Sequence, residues 1–170
     1  MVGHHTGAGV AAQLTFDFPD EVAGLMLSGY PPNRDRRHRY SRLQLCREEP
    51  ISPDGAELAQ SWQAMNAMLG PDLAYSERRE AFVDRLLGGE LWYLPYVALF
   101  TTDTEALLER VRNPDRPTAP LAADKDSLSE SSERAAAILG ITLTSVEGTS
   151  WMPVGRPEVL VATIRSWRPR

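Results

Sequence analysis

Histidine is scarce in this chain of 170 residues: the three present are His4, His5 and His38, so nothing beyond residue 38 can supply an imidazole base. Acid–base chemistry that needs an imidazole must draw it from the N-terminal end. Cysteine is scarcer still, with Cys46 alone. That excludes an intrachain disulfide and suits a reducing, cytoplasmic setting. As a nucleophile Cys46 is poorly served, having only His38 near it in sequence. No apolar run reaches membrane-spanning length, and no basic stretch followed by an apolar core opens the chain. Basic charge is not in excess either. The net charge of −5 argues against nucleic-acid binding and suits small-molecule or protein partners. The one basic run, Arg34-Asp35-Arg36-Arg37-His38-Arg39, reads as a solvated linker. No Cys/His cluster and no acidic calcium loop is present, so no metal and no cofactor is implied.

What the chain does have begins at its second residue. Val2-Gly3-His4-His5-Thr6-Gly7-Ala8 is a G-x-X-x-G turn followed by helix-like sequence over residues 8–18. Gly3 and Gly7 are expected where a Cβ would clash in a tight turn. His5 at the centre projects above the strand ends, with the Thr6 backbone N–H beside it as an oxyanion donor. The positive end of the helix dipole disfavours charge on that imidazole, which suits a base or an electrophile. Pro19-Asp20-Glu21 breaks the helix, residues 22–27 form a buried-strand run, and Ser28-Gly29-Tyr30-Pro31-Pro32 closes it in a loop. Further on, residues 56–69, 77–87 and 104–111 have helical spacing, 91–100 is aromatic and apolar, 129–139 is helical, and 141–146 alternates like a strand.

The strand, turn, helix, strand order around His5 resembles the α/β-hydrolase family, whose nucleophile elbow reads G-x-S-x-G. The resemblance returns at Arg116-Pro117-Thr118-Ala119-Pro120-Leu121-Ala122-Ala123-Asp124-Lys125-Asp126, similar to the strand and turn that carry the triad acid. It continues at Gly148-Thr149-Ser150-Trp151-Met152-Pro153, similar to the loop of the triad histidine, and at the closing helix from Arg156-Pro157-Glu158. It implies an α/β fold: a partial α/β-hydrolase with a mostly parallel sheet remnant, flanking helices and an inserted helical cap. By that template residues 1–32 and 116–170 form the core and 33–115 the cap. Pro120 stands out, because it falls inside the expected strand, where it removes a ladder hydrogen bond. On the same template the chain starts at the elbow strand, without the strands and second oxyanion N–H that precede it. That predicts an N-terminally truncated or split protein whose open sheet edge pairs with a missing half or a second copy.

The resemblance places the acid at Asp126, with Asp124 as the alternative, and sets Ser150 where the histidine belongs and His5 where the serine belongs. That exchange implies a rearranged site of His5, Asp126 and Ser150 acting on a small ester, lactone, amide or related carbonyl substrate. In it His5 faces Ser150 and takes its proton; Asp126, placed to hold an imidazole on the neighbouring loop, is left with its reach to the elbow histidine open. A cofactor-free lyase or isomerase using His5 as base is the alternative, and an inactive remnant or binding protein the third. His4, Tyr30, Trp62, Trp92 and Trp151 are the residues expected to line a substrate pocket.

Overall fold

The computed structural model describes residues 1–33, 35, 52–69, 73–151, 153 and 156–167, with Met68 described in its backbone alone. Cys46, His38 and all of the basic run except Asp35 lie outside the described residues. Four strands, β1 (Val2–His4), β2 (Leu25–Ser28), β3 (Thr118–Lys125) and β4 (Thr144–Thr149), form one sheet in the order β1-β2-β3-β4. Every pairing is parallel. Helices α1 (Thr6–Asp17), α2 (Ala56–Leu69), α3 (Tyr75–Leu87), α4 (Leu94–Thr101), α5 (Thr104–Val111), α6 (Ser129–Leu139) and α7 (Pro157–Ser166) complete the described elements, with a short 3-10 turn at Gly89–Leu91. This is the α/β architecture that the strand, turn and helix order implies.

Side-chain alternation along the strands sorts the core into two layers, as a parallel sheet buried on both faces requires. Leu25 and Leu27 of β2 turn to one face, where Ala8, Ala11 and Ala12 of α1, Leu107, Leu108 and Val111 of α5, and Ala135 and Leu139 of α6 meet them. Met26 turns to the other face with Leu121 and Ala123 of β3, under Leu160 and Ile164 of α7. The alanine face of α1 matters, because small side chains let a helix lie close against strands. Helices α2 and α3, with Leu73 between them, build a third cluster from Met65, Leu69, Leu73 and Ala81, with Trp62, Phe82 and Trp151 packed on it. Helix α5, within residues 33–115, joins the core layer rather than that cluster.

Strand β3 is central, and Pro120 sits in it, paired with Leu27. The ladder shows why the missing N–H costs little. The carbonyls of Pro117 and Leu121 accept from the N–H groups of Leu25 and Gly29, so those residues turn their backbone to β2. Pro120, one step out of phase, turns its nitrogen to the β4 side. There the pairing begins only at Leu121 and Thr144, so no partner is lost. Strand β4 starts later than the alternation of 141–146 predicts. Gly140 ends α6 in the left-handed region, at φ 72°, and the N–H of Ile141 donates to the Ala136 carbonyl. Ile141 is thereby anchored against the first core cluster rather than in the sheet.

Candidate functional site

The turn between β1 and α1 is drawn tight by Gly3. A Cβ there would lie 2.3 Å from the Gly7 carbonyl oxygen and 2.6 Å from the Ala8 Cα, so no other residue fits. Gly7 does not meet the same expectation, since a Cβ at that position would have nothing within 4 Å. His5, between them, takes φ 48° and ψ −117°, outside the left-handed helical well. It is the N-cap residue of α1, yet its side chain caps nothing. Its amide donates to the Ser28 carbonyl at 2.8 Å and its carbonyl accepts from the Ala8 N–H at 2.9 Å, which fix the strained turn at both ends. Backbone strain of this kind costs about 1–3 kcal/mol and persists where the surroundings impose it.

The freed His5 ring reaches Asp126. Its Nε2 lies 2.9 Å from Oδ2 and 3.1 Å from Oδ1 of a carboxylate whose side chain is 1% exposed, while the His5 side chain is 27% exposed. Nε2 faces a carboxylate and so carries the proton, leaving the lone pair of a neutral His5 on Nδ1. The carboxylate is crowded with donors: Oδ1 also accepts from the Leu128 N–H at 2.8 Å and from the Ser150 hydroxyl at 2.8 Å. Burial alone would raise its pKa. The His5 bond and charge, with the Leu128 and Ser150 bonds, outweigh that and hold it below the usual carboxylate range.

Ser150, directly after β4, completes the group by a different route from the one the exchange of positions implies. Its hydroxyl donates to Asp126 and accepts from the Ser127 N–H at 3.2 Å, so His5 bonds Asp126 and not Ser150. All three residues converge, with Asp126 as the hub. Asp124, the alternative acid, is elsewhere: its Oδ1 accepts from the Gly148 N–H at 2.9 Å and pins the end of β4.

His4 stacks on His5 with ring centroids 4.1 Å apart. Its Nε2 faces the Ser150 carbonyl at 2.8 Å and must carry the proton, so Nδ1 accepts from the Ser28 hydroxyl at 3.0 Å. Burial first, then the neighbouring His5, lower its pKa and favour this neutral form. Both ring nitrogens of His4 are thus engaged by neighbouring residues. Tyr30 is fully buried in the first core cluster, its hydroxyl donating to the Thr104 carbonyl at 2.7 Å and its pKa raised by burial. Trp62 packs edge-on against Tyr75 and Phe82, and Trp151 joins the same cluster. Trp92 packs against Tyr96 under the Arg85 guanidinium and borders a separate cavity of about 30 Å³. A larger cavity, of about 210 Å³, lies between α1 and α4 and touches Thr6, but none of those four aromatic residues.

Gly29 belongs to the site and has no signal in the sequence beyond its place after an apolar run. At φ 63° it ends β2 beneath the His5–Asp126 pair, where a Cβ would lie 2.4 Å from His5 Cδ2 and 3.0 Å from Asp126 Oδ2. Ser28, Ser127 and the Leu128 N–H are likewise parts that only the tertiary structure reveals.

No protein-family model matches the sequence, and no curated protein matches it. Solved structures do match. A hydrolase from Pseudomonas aeruginosa superposes with a TM-score of 0.70 at 20% identity, over 98% of this chain and 63% of that one. A bromoperoxidase from Bacillus anthracis gives 0.71 at 14% identity, over 98% and 65%. An enol-lactonase from Burkholderia xenovorans gives 0.69 at 11%, over 98% and 64%. The present chain therefore spans less than two-thirds of the length of these proteins.

Proposed function

We propose that this chain, which has an α/β-hydrolase-like fold over part of that fold's length, hydrolyses a small ester, lactone or related carbonyl compound at the Asp126–His5 pair. The observation that carries the reading is the pair itself: a buried carboxylate holds one imidazole nitrogen, and a strained backbone presents that ring at the carboxyl ends of the strands. In open α/β sheets that is where ligands bind. His5 Nδ1 takes a proton from water as the water oxygen attacks the carbonyl carbon. Asp126, kept ionised, stabilises the imidazolium that forms. The Thr6 N–H, in the first turn of α1 where helix amides have no intrahelical acceptor, donates to the developing oxyanion. Collapse of the tetrahedral adduct expels the alkoxide, which takes the proton back from His5, and acid and alcohol leave.

Ser150 is a positioning residue in this scheme, because its proton is committed to Asp126. The lid falls to α2, α3 and α4 within residues 33–115; Trp151, beside Ser150, packs on the cluster that α2 and α3 share. A single imidazole base with no serine nucleophile is also what a cofactor-free lyase or isomerase needs, and that is the second reading.

The test is turnover of p-nitrophenyl butyrate. His5→Ala lowers kcat by at least about a hundredfold, whereas Ser150→Ala lowers it by about tenfold or less. If Ser150→Ala abolishes turnover as completely as His5→Ala, the serine is the nucleophile and the scheme is wrong. Deuterium uptake next to a substrate carbonyl, without cleavage, supports the lyase or isomerase reading. No turnover of either kind leaves a silent binding protein.

A further inference from the structure

We propose that the cavity between α1 and α4 is the acyl subsite of the His5 centre and takes an uncharged aliphatic chain; this rests on the hydrolytic reading of that centre. The cavity of about 210 Å³ is lined along α1 by Gly9, Val10 and Leu14 and along α4 by Ala98 and Leu99. No lining residue is charged. The walls offer a carboxylate or phosphate no cation, whereas an aliphatic chain gains contact with Val10, Leu14 and Leu99, so the groove favours the uncharged chain.

The cavity reaches the first turn of α1, next to His5 in the chain, although His5, Asp126 and Ser150 do not themselves line it. One boundary is Thr6, whose N–H is the oxyanion donor, and another is Thr104, whose hydroxyl donates to the Pro31 carbonyl at 2.7 Å and accepts from the Asn33 N–H at 2.8 Å. Those bonds fasten the wall to the segment that follows β2 and use the threonine's donor. From Thr6 the lining continues down α1 to Leu14, eight residues on, roughly 12 Å of helix. That is the reach of a medium-length acyl chain. Gly9 brings the two helices close midway, since a Cβ there would lie 2.8 Å from Leu99 Cδ1. A carbonyl held at Thr6 over His5 thus has an apolar route for its acyl tail along α1.

Three measurements on the full chain test this. The first is kcat/KM for p-nitrophenyl acetate, butyrate and octanoate; burial of each methylene is expected to raise it about fourfold. The second repeats the series with Ala98→Phe and with Val10→Asp, both at exposed positions that a larger or charged side chain can occupy without disturbing the core. Each is expected to cut the octanoate-to-acetate ratio at least tenfold. The third is calorimetric binding of 1-octanol to His5→Ala, expected to match the parent and to be lost in Ala98→Phe. A flat chain-length profile that neither variant alters overturns the subsite and leaves the centre standing. Octanol binding that Ala98→Phe abolishes, with no ester cleaved by the parent, keeps the cavity as an aliphatic-chain site and overturns the hydrolytic reading. Neither binding nor chain-length preference overturns the proposal outright.

Discussion

His5 holds a backbone conformation that a histidine adopts only under constraint, at φ 48° and ψ −117°. The constraint is distributed over Gly3, whose missing Cβ admits the Gly7 carbonyl, and over the bond from His5 N–H to Ser28. Gly29 plays the matching part on the ring side. Gly29→Ala pushes the imidazole off Asp126, and a displacement near 1 Å costs about a hundredfold in rate. Kinetics at saturating substrate, with circular dichroism showing a retained fold, check this; an unchanged kcat refutes the packing argument. Asp126 carries the pH signature. Its folded pKa lies below the unfolded value of about 3.9, so it contributes stability that is present above that value and lost as pH falls through the folded one. The parent is therefore expected to exceed Asp126→Asn in urea midpoint at pH 7, with the gap closing below about pH 4. A gap that persists unchanged at pH 2 contradicts it. His5, Asp126 and Ser150 were all legible in the sequence, but their pairing was not. Which atom each side chain meets depends on the direction of approach of three loops, and spacing along one chain does not encode it.

At the scale of elements, the first turn of α1 separates two glycines that look equivalent in the motif. Gly3→Ala drives a Cβ into backbone that cannot yield, and is expected to cost at least about 2 kcal/mol. Gly7→Ala meets open space inside a helix and is expected to stabilise by about 0.5–1 kcal/mol. Urea unfolding of both variants measures the difference, and equal destabilisation refutes it. Helices α2, α5 and α6 follow the spacing of their apolar residues closely, because each lays one apolar stripe on a core. The aromatic residues were less legible. A tryptophan that fills the contact between two helices and one that lines a cleft look alike in sequence. Trp62 proves to be the former, packed between Tyr75 and Phe82.

At the scale of the whole molecule, a parallel sheet with α1, α5 and α6 on one face and α7 on the other presents the carboxyl ends of β1 and β3 side by side with that of β2. That arrangement brings residue 5 to residue 126 across 121 positions of sequence. Among the described residues β1 pairs with β2 alone, and Val2 on it is 43% exposed. Among the described residues no helix is long and apolar enough to cross a membrane. The fold class was legible through resemblance: the turn around His5, the strand ending at Asp126 and the segment from Gly148 to the closing helix each look like the corresponding parts of the α/β-hydrolase family. Hydrolysis at the proposed centre requires Asp126 and His5 to act as one unit. The most direct measurement is a double-variant cycle in p-nitrophenyl ester hydrolysis with His5→Ala, Asp126→Asn and the two combined. If the pair is the reactive centre, the combined variant is no slower than His5→Ala alone, because the carboxylate has no role without the imidazole. Losses that multiply would show the two residues acting independently and would contradict the account.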